Sequence, residues 1–157
     1  MPYSRTARLV SVLLPALTLV FIFVQSLLPP TLSGAESSRV AALLAGIFGE
    51  TTPLGHFLIT YVRKIAHFTE YGVLGAETVY LLRVFSTRLP VRIRRTAPLA
   101  GLAVGFLDET LQCFSSRGPS IADVWLDGAG YAAFFALFTG LVYLIDRRKA
   151  SPTDTEE

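Results

Sequence analysis

Between residues 64 and 127 the sequence sets ionisable side chains at helical intervals within otherwise apolar segments. Lys64, His67 and Tyr71 are spaced three and four apart and share a helix face, with Glu70 beside His67. Asp108 and Gln112 are four apart, and Glu109 lies about 100° around the helix from Asp108. Asp123 and Asp127 repeat the four-residue spacing, and Arg117 stands in the intervening turn with Gly118 and Pro119. An imidazole beside carboxylates can move protons, so His67, Glu70, Asp108 and Glu109 are the candidate acid and base residues. Cations hold phosphate oxygens and neighbouring polar groups orient a ligand. Lys64, Tyr71, Gln112, Arg117, Asp123 and Asp127 are therefore the candidate substrate-binding residues.

Each of these groups also has a plainer role. Lys64 can snorkel to lipid phosphates. His67 can serve as a hydrogen bond between helices, and Asp123 as a helix N-cap. Asp108 or Glu109 can pair structurally with Arg117. Glu77, almost two turns deeper than Glu70, reads as a protonated or bridged core carboxylate. No metal and no cofactor are assigned. HFTE is not an HExxH arrangement, and the second histidine, His56, precedes the helix that carries His67. Cys113 has no partner for a disulfide and reads as a small core residue.

The elements that must position these groups are membrane helices. Of 157 residues, 52% are hydrophobic and 17% charged, and mean hydropathy is +0.51, too apolar for a solvated surface. A span needs about 20 mostly apolar residues. Four segments qualify, near 9–28, 65–82, 98–114 and 124–145; the second and third are interrupted by the ionisable residues above, and the second is expected to continue outward through the apolar turn at 57–62. The first follows Arg5 and Arg8 like a signal peptide, but it is too long for an h-region and no small-residue cleavage pattern follows it, so it is read as a retained helix.

The basic residues set the orientation. Arg5 and Arg8 precede span one, Arg83, Arg88, Arg92, Arg94 and Arg95 lie between spans two and three, and Arg147, Arg148 and Lys149 follow span four. The other two connections hold only Arg39, Arg63, Lys64 and Arg117. Basic residues beside span ends are retained in the cytoplasm. The expected fold is thus all-α: a four-helix transmembrane bundle with both termini cytoplasmic, forming one membrane domain over 1–157. The basic residues lie in loops, a pattern that excludes nucleic acid as a partner.

The outer segment 29–63 carries Val40, Leu43, Leu44, Ile47 and Phe48 at helical spacing behind Ser37 and Ser38, which predicts a short interfacial helix starting there. The tail 150–157 is polar and expected to be disordered. With this topology the candidate residues gather at the outer side of the bilayer. Gly72, Gly75, Gly101, Gly105, Gly128 and Gly130 allow the close helix packing that would bring them together.

Lys64, His67, Phe68, Glu70 and Tyr71 form KxxHFxEY, Asp108, Glu109 and Gln112 form DExxQ, and Arg117, Asp123, Asp127 and Gly130 form R(x)5D(x)3D(x)2G. Over about half of the chain, 63–145, this pattern resembles the VanZ-like family of small bacterial membrane proteins. Asp127 departs from the family's pattern, in which asparagine is more frequent. The resemblance implies a multi-pass protein of the bacterial cytoplasmic (inner) membrane and a link to the cell envelope, the founding member being associated with low-level resistance to the glycopeptide teicoplanin. It carries over motif positions and no catalytic roles.

The expected function is binding or processing of an anionic envelope lipid or lipid-linked precursor at an outward-facing polar cavity. Two alternatives stand beside it. One is a proton-coupled small transporter or flippase, which four helices would build as a homodimer. The other is a structural accessory protein in which the cluster locks helices together.

Overall fold

The structure, a computed structural model, describes residues 3–150, excluding the side chain of Ala150. It is all-helical among those residues. In chain order the helices are α1 (Arg5–Leu27), α2 (Pro30–Phe48), α3 (Pro53–Thr60), α4 (Val62–Val84), α5 (Val91–Thr96), α6 (Ala100–Gln112) and α7 (Ile121–Ala150). Tight 3₁₀ turns, Ala97–Leu99 and Cys113–Ser115, extend α6 at both ends. The helical run 97–115 is then about 28 Å long at 1.5 Å per residue.

Two helices, α1 and α7, are long and apolar enough to cross a membrane. Only 11% and 17% of their most apolar windows are buried within the protein, so their apolar side chains face outward, Leu9, Leu17, Val24, Leu137 and Leu141 among them. The core helix of a water-soluble protein would bury these faces. α4 fails the same test because Arg63, Lys64, His67, Glu70, Glu77 and Arg83 dilute it, and α6 is short.

α4 packs most extensively on α7, α7 also on α6, and α1 on both α4 and α6. The α4–α7 seam is close because it is built on glycine. A Cβ at Gly75 would collide with the Tyr131 carbonyl, and one at Gly130 with the Phe68 carbonyl. The GxxxG of α6 faces α7 in the same way, with Gly101 under the Tyr131 ring and Gly105 against Asp127. Ile22, Tyr71, Leu74 and Tyr131 form the small apolar core, and the Tyr131 hydroxyl donates to the Ala97 carbonyl at 3.0 Å.

The segment 29–63 differs from the sequence expectation. Its helix begins at Pro30, with Pro29 at the cap position, and runs 19 residues instead of starting behind Ser37 and Ser38. Proline at the first helical position has its φ preset and needs no N–H partner there, so it starts the helix earlier; Ser38 Oγ instead donates back to the Gly34 carbonyl. The apolar turn at 57–62 does not simply lengthen α4. Thr52 caps a separate α3, its hydroxyl accepting from Gly55 N–H at 3.0 Å, and Tyr61, with φ −106° and ψ 14°, breaks α3 from α4. The tail 150–157 lies outside the described residues except for Ala150, the last residue of α7.

Candidate functional site

The beginning of α4 and α7 and the end of α1 and α6 meet at one end of the molecule, and the polar residues collect there. His67 Nδ1 of α4 lies 3.3 Å from Asp127 Oδ1 of α7, within ion-pair distance but without hydrogen-bond alignment. Asp127 is completely buried, and neither of its carboxylate oxygens has a hydrogen-bond donor. Gly105 is why it can sit so close to α6, since even a Cβ there would stand 3.2 Å from Asp127 Cβ.

Asp108 of α6 is equally buried and rests against the Ser26 hydroxyl of α1. That hydroxyl has one proton, shared in reach between Asp108 Oδ1 and its own helix's Ile22 carbonyl. Gln112 Nε2 donates to Glu109 Oε1 at 2.9 Å and more weakly to Asp108 Oδ2 at 3.4 Å. Glu109 Oε2 accepts from Ser120 N–H at 2.6 Å, which ties the turn 116–120 back onto α6. Glu109 therefore fastens the loop that carries Arg117.

That loop turns at Ser116, whose φ of 59° puts it in the left-handed region, and it delivers Arg117 across to α1. Arg117 Nη1 donates to the Gln25 carbonyl at 3.0 Å, while its Nε is buried with no acceptor. It pairs with neither Asp108 nor Glu109: among the described residues the ion pairs are His67–Asp127 and Arg83–Asp146. The end of α1 already offers Arg117 a carbonyl, and Glu109 is occupied by Gln112 and Ser120. Burial, and after it the neighbouring Arg63 charge, pull the Arg117 guanidinium below its usual value.

A cavity of about 430 Å³ opens among these groups. His67, Glu70 and Asp108 reach it from α4 and α6, and Arg39, Arg63 and Arg117 give it three guanidinium groups; Phe21, Ile22, Val40 and Val62 supply apolar wall. Tyr71, Gln112 and Asp127 lie buried behind it, and Lys64 is exposed away from it. Lys64 shares its azimuth with Tyr71 but stands seven residues nearer the helix start, about 10 Å along the axis. Asp123 is in the first turn of α7 and does not cap it; Ser120 takes the cap position, its Oγ 3.4 Å from Asp123 N–H.

Glu77 is held deeper in the bundle by the Thr18 hydroxyl at 3.1 Å. Cys113, expected in the core, is exposed, at the start of the 3₁₀ turn that follows α6. Gln25, Ser26, Arg39 and Arg63 were not among the candidates. The signal for the first two was present: they are the polar residues that close an apolar span, at the end where the cluster gathers.

Two outward-facing apolar helices, beside a pocket lined by Glu36, Glu70, Asp108, one imidazole and three guanidinium groups, point to a small helical membrane protein. The VanZ/LLP1 family model matches residues 11–144, nearly the whole chain, and the protein belongs to that family. Comparison with curated proteins found no match, and neither did comparison with solved structures.

Proposed function

We propose that this VanZ-type protein crosses the inner membrane four times with both termini in the cytoplasm, and that its cavity takes the anionic headgroup of an envelope lipid or lipid-linked precursor from the outer leaflet. The observation that carries this reading is the state of Arg117. It is drawn into a partly buried wall, it is crowded by Arg63, and its Nε lacks an acceptor. A phosphate between Arg63, Arg117 and Arg39 would supply that acceptor and relieve the repulsion between like charges. The apolar wall from α1 and α2 suits acyl chain beside the headgroup.

His67, Glu70 and Asp108 face the same space, where an acid and a base would be needed if the headgroup is processed and not only held. The test is retention of lipid by the purified protein in mixed phosphatidylglycerol and phosphatidylcholine nanodiscs, read by native mass spectrometry. Preferential retention of phosphatidylglycerol, lost in Arg63→Ala/Arg117→Ala, supports the reading. Equal retention of both lipids by the wild-type protein overturns it.

A further inference from the structure

We propose that His67, Asp108 and Asp127 hold a single divalent transition-metal ion behind the cavity. Helices α4, α6 and α7 each give one of these residues, and one ligand atom from each lies within 4.8 Å of the other two. Two atoms bound to one ion at about 2.0 to 2.2 Å can be at most about 4.4 Å apart, so small side-chain rotations close the site. The sequence offers no HExxH spacing, and its second histidine, His56, precedes the helix that carries His67. Folding supplies instead a second buried carboxylate, from a helix that begins 54 residues after His67.

The independent observation is that the donors are unspent. Asp127 is fully buried with both oxygens lacking a hydrogen-bond donor, and His67 Nδ1 beside it is buried and lacks a partner as well. Asp108 has the Ser26 hydroxyl and one long bond from Gln112, with no ion pair. Two buried carboxylates against one imidazole leave negative charge uncompensated in a low-dielectric site, and the Arg117 guanidinium forms no ion pair with either carboxylate. A divalent ion matches that charge and takes up the idle lone pairs. One nitrogen and carboxylate oxygens suit Zn²⁺ or Mn²⁺ better than the softer or purely oxygen-bound cations. Since His67 and Asp108 also line the cavity, an ion between them would present its open positions to whatever occupies that space.

The site shares His67 and Asp108 with the cavity of the proposed function, but its test uses no anionic lipid, so failure of either reading leaves the other standing. Untagged protein in phosphatidylcholine nanodiscs is stripped with a chelator, dialysed against Zn²⁺ or Mn²⁺, and its metal content is measured by mass spectrometry. One equivalent per chain is expected. Affinity should fall at least about 10-fold in His67→Ala and Asp127→Asn, and stay unchanged in Asp146→Asn at the far end of α7. Co²⁺ offers a readout in the wild-type protein alone, independent of how the variants fold: visible absorption bands should arise at one equivalent and disappear on adding Zn²⁺. Wild-type protein that retains no ion and gives no Co²⁺ bands overturns the proposal, as does equal retention by folded His67→Ala and Asp127→Asn.

Discussion

The same two helices, α4 and α7, are joined by an ion pair at each end, and the two pairs could hardly differ more. Arg83 Nη2 meets Asp146 Oδ1 at 2.6 Å with Asp146 exposed and Arg83 partly so, and the Arg83 Nε also donates to the Tyr3 hydroxyl at 3.0 Å. His67, partly exposed to the cavity, and the fully buried Asp127 stand at 3.3 Å, misaligned and short of partners. The exposed pair has good geometry in a setting where geometry matters little. The buried pair has poor geometry where an unpaired charge is expensive. A helix lock would be built the other way round, and the proposed function takes the under-satisfied end as the place where polar groups are kept for something other than stability.

The comparison first requires that the two ends face opposite sides of the membrane. In a Cys113→Ser background, needed because Cys113 is exposed, cysteines at Ser38 and Ser116 should react fully with an impermeant thiol reagent on intact cells. A cysteine at Thr87 should react only after lysis. Reversed labelling would place the cavity in the cytoplasm and end the outer-leaflet reading.

Next comes the buried end itself. Asp108→Asn and Asp127→Asn should abolish an envelope phenotype such as glycopeptide susceptibility at matched protein level, while melting temperature stays level or rises, because the amides remove buried charge that lacks partners. If the cluster is a lock, each variant should instead lose about 1 to 3 kcal/mol of stability, and the phenotype should track protein amount.

A smaller effect is expected from Gly105→Ala. The added methyl presses on Asp127 Cβ, with the Val124 carbonyl at 3.5 Å on the same side. Destabilisation should be about 1 to 3 kcal/mol. Function should fall with it, more than in Gly140→Ala, where a Cβ meets open space. Equal behaviour of the two alanine variants would mean that the α6–α7 approach does not position Asp127.

Much of this asymmetry is legible in the sequence. The glycines of α4, α6 and α7 foretell close seams, and the motif residues foretell which end is polar, because period and small size survive in a linear reading. The rotation of one helix about its axis does not. Lys64 and Tyr71 have the same azimuth, yet one is exposed and the other buried, which depends on where the neighbouring helices stop. Ser26 and Gln25 look like the end of a span, and only the approach of neighbouring elements gives them partners, Asp108 for the Ser26 hydroxyl, Glu36 for the Gln25 side chain and Arg117 for the Gln25 carbonyl. The pairing of His67 with Asp127 likewise needs the register of the α4–α7 seam, which Gly75 and Gly130 fix. In the segment 29–63 proline at the first helical position, not the apolar periodicity after Ser38, sets where α2 begins.

The smallest effect belongs to the exposed end. Under the proposed topology Arg83 and Asp146 stand at the cytoplasmic end, where the attraction between two accessible side chains is screened and both must be ordered to realise it. Asp146→Asn should therefore change stability by less than about 1 kcal/mol, become indistinguishable from wild type at high salt, and leave both the envelope phenotype and lipid retention intact. Arg83→Ala removes the bond to Tyr3 as well and should cost slightly more, still without loss of function. Thermal melts of the two variants at low and high salt, beside Asp127→Asn, measure both ends of one seam with one method. A loss of several kcal/mol at Arg83 that salt does not reduce would show that this end holds the helices together, and the contrast between a retained site and an ordinary surface pair would have to be given up.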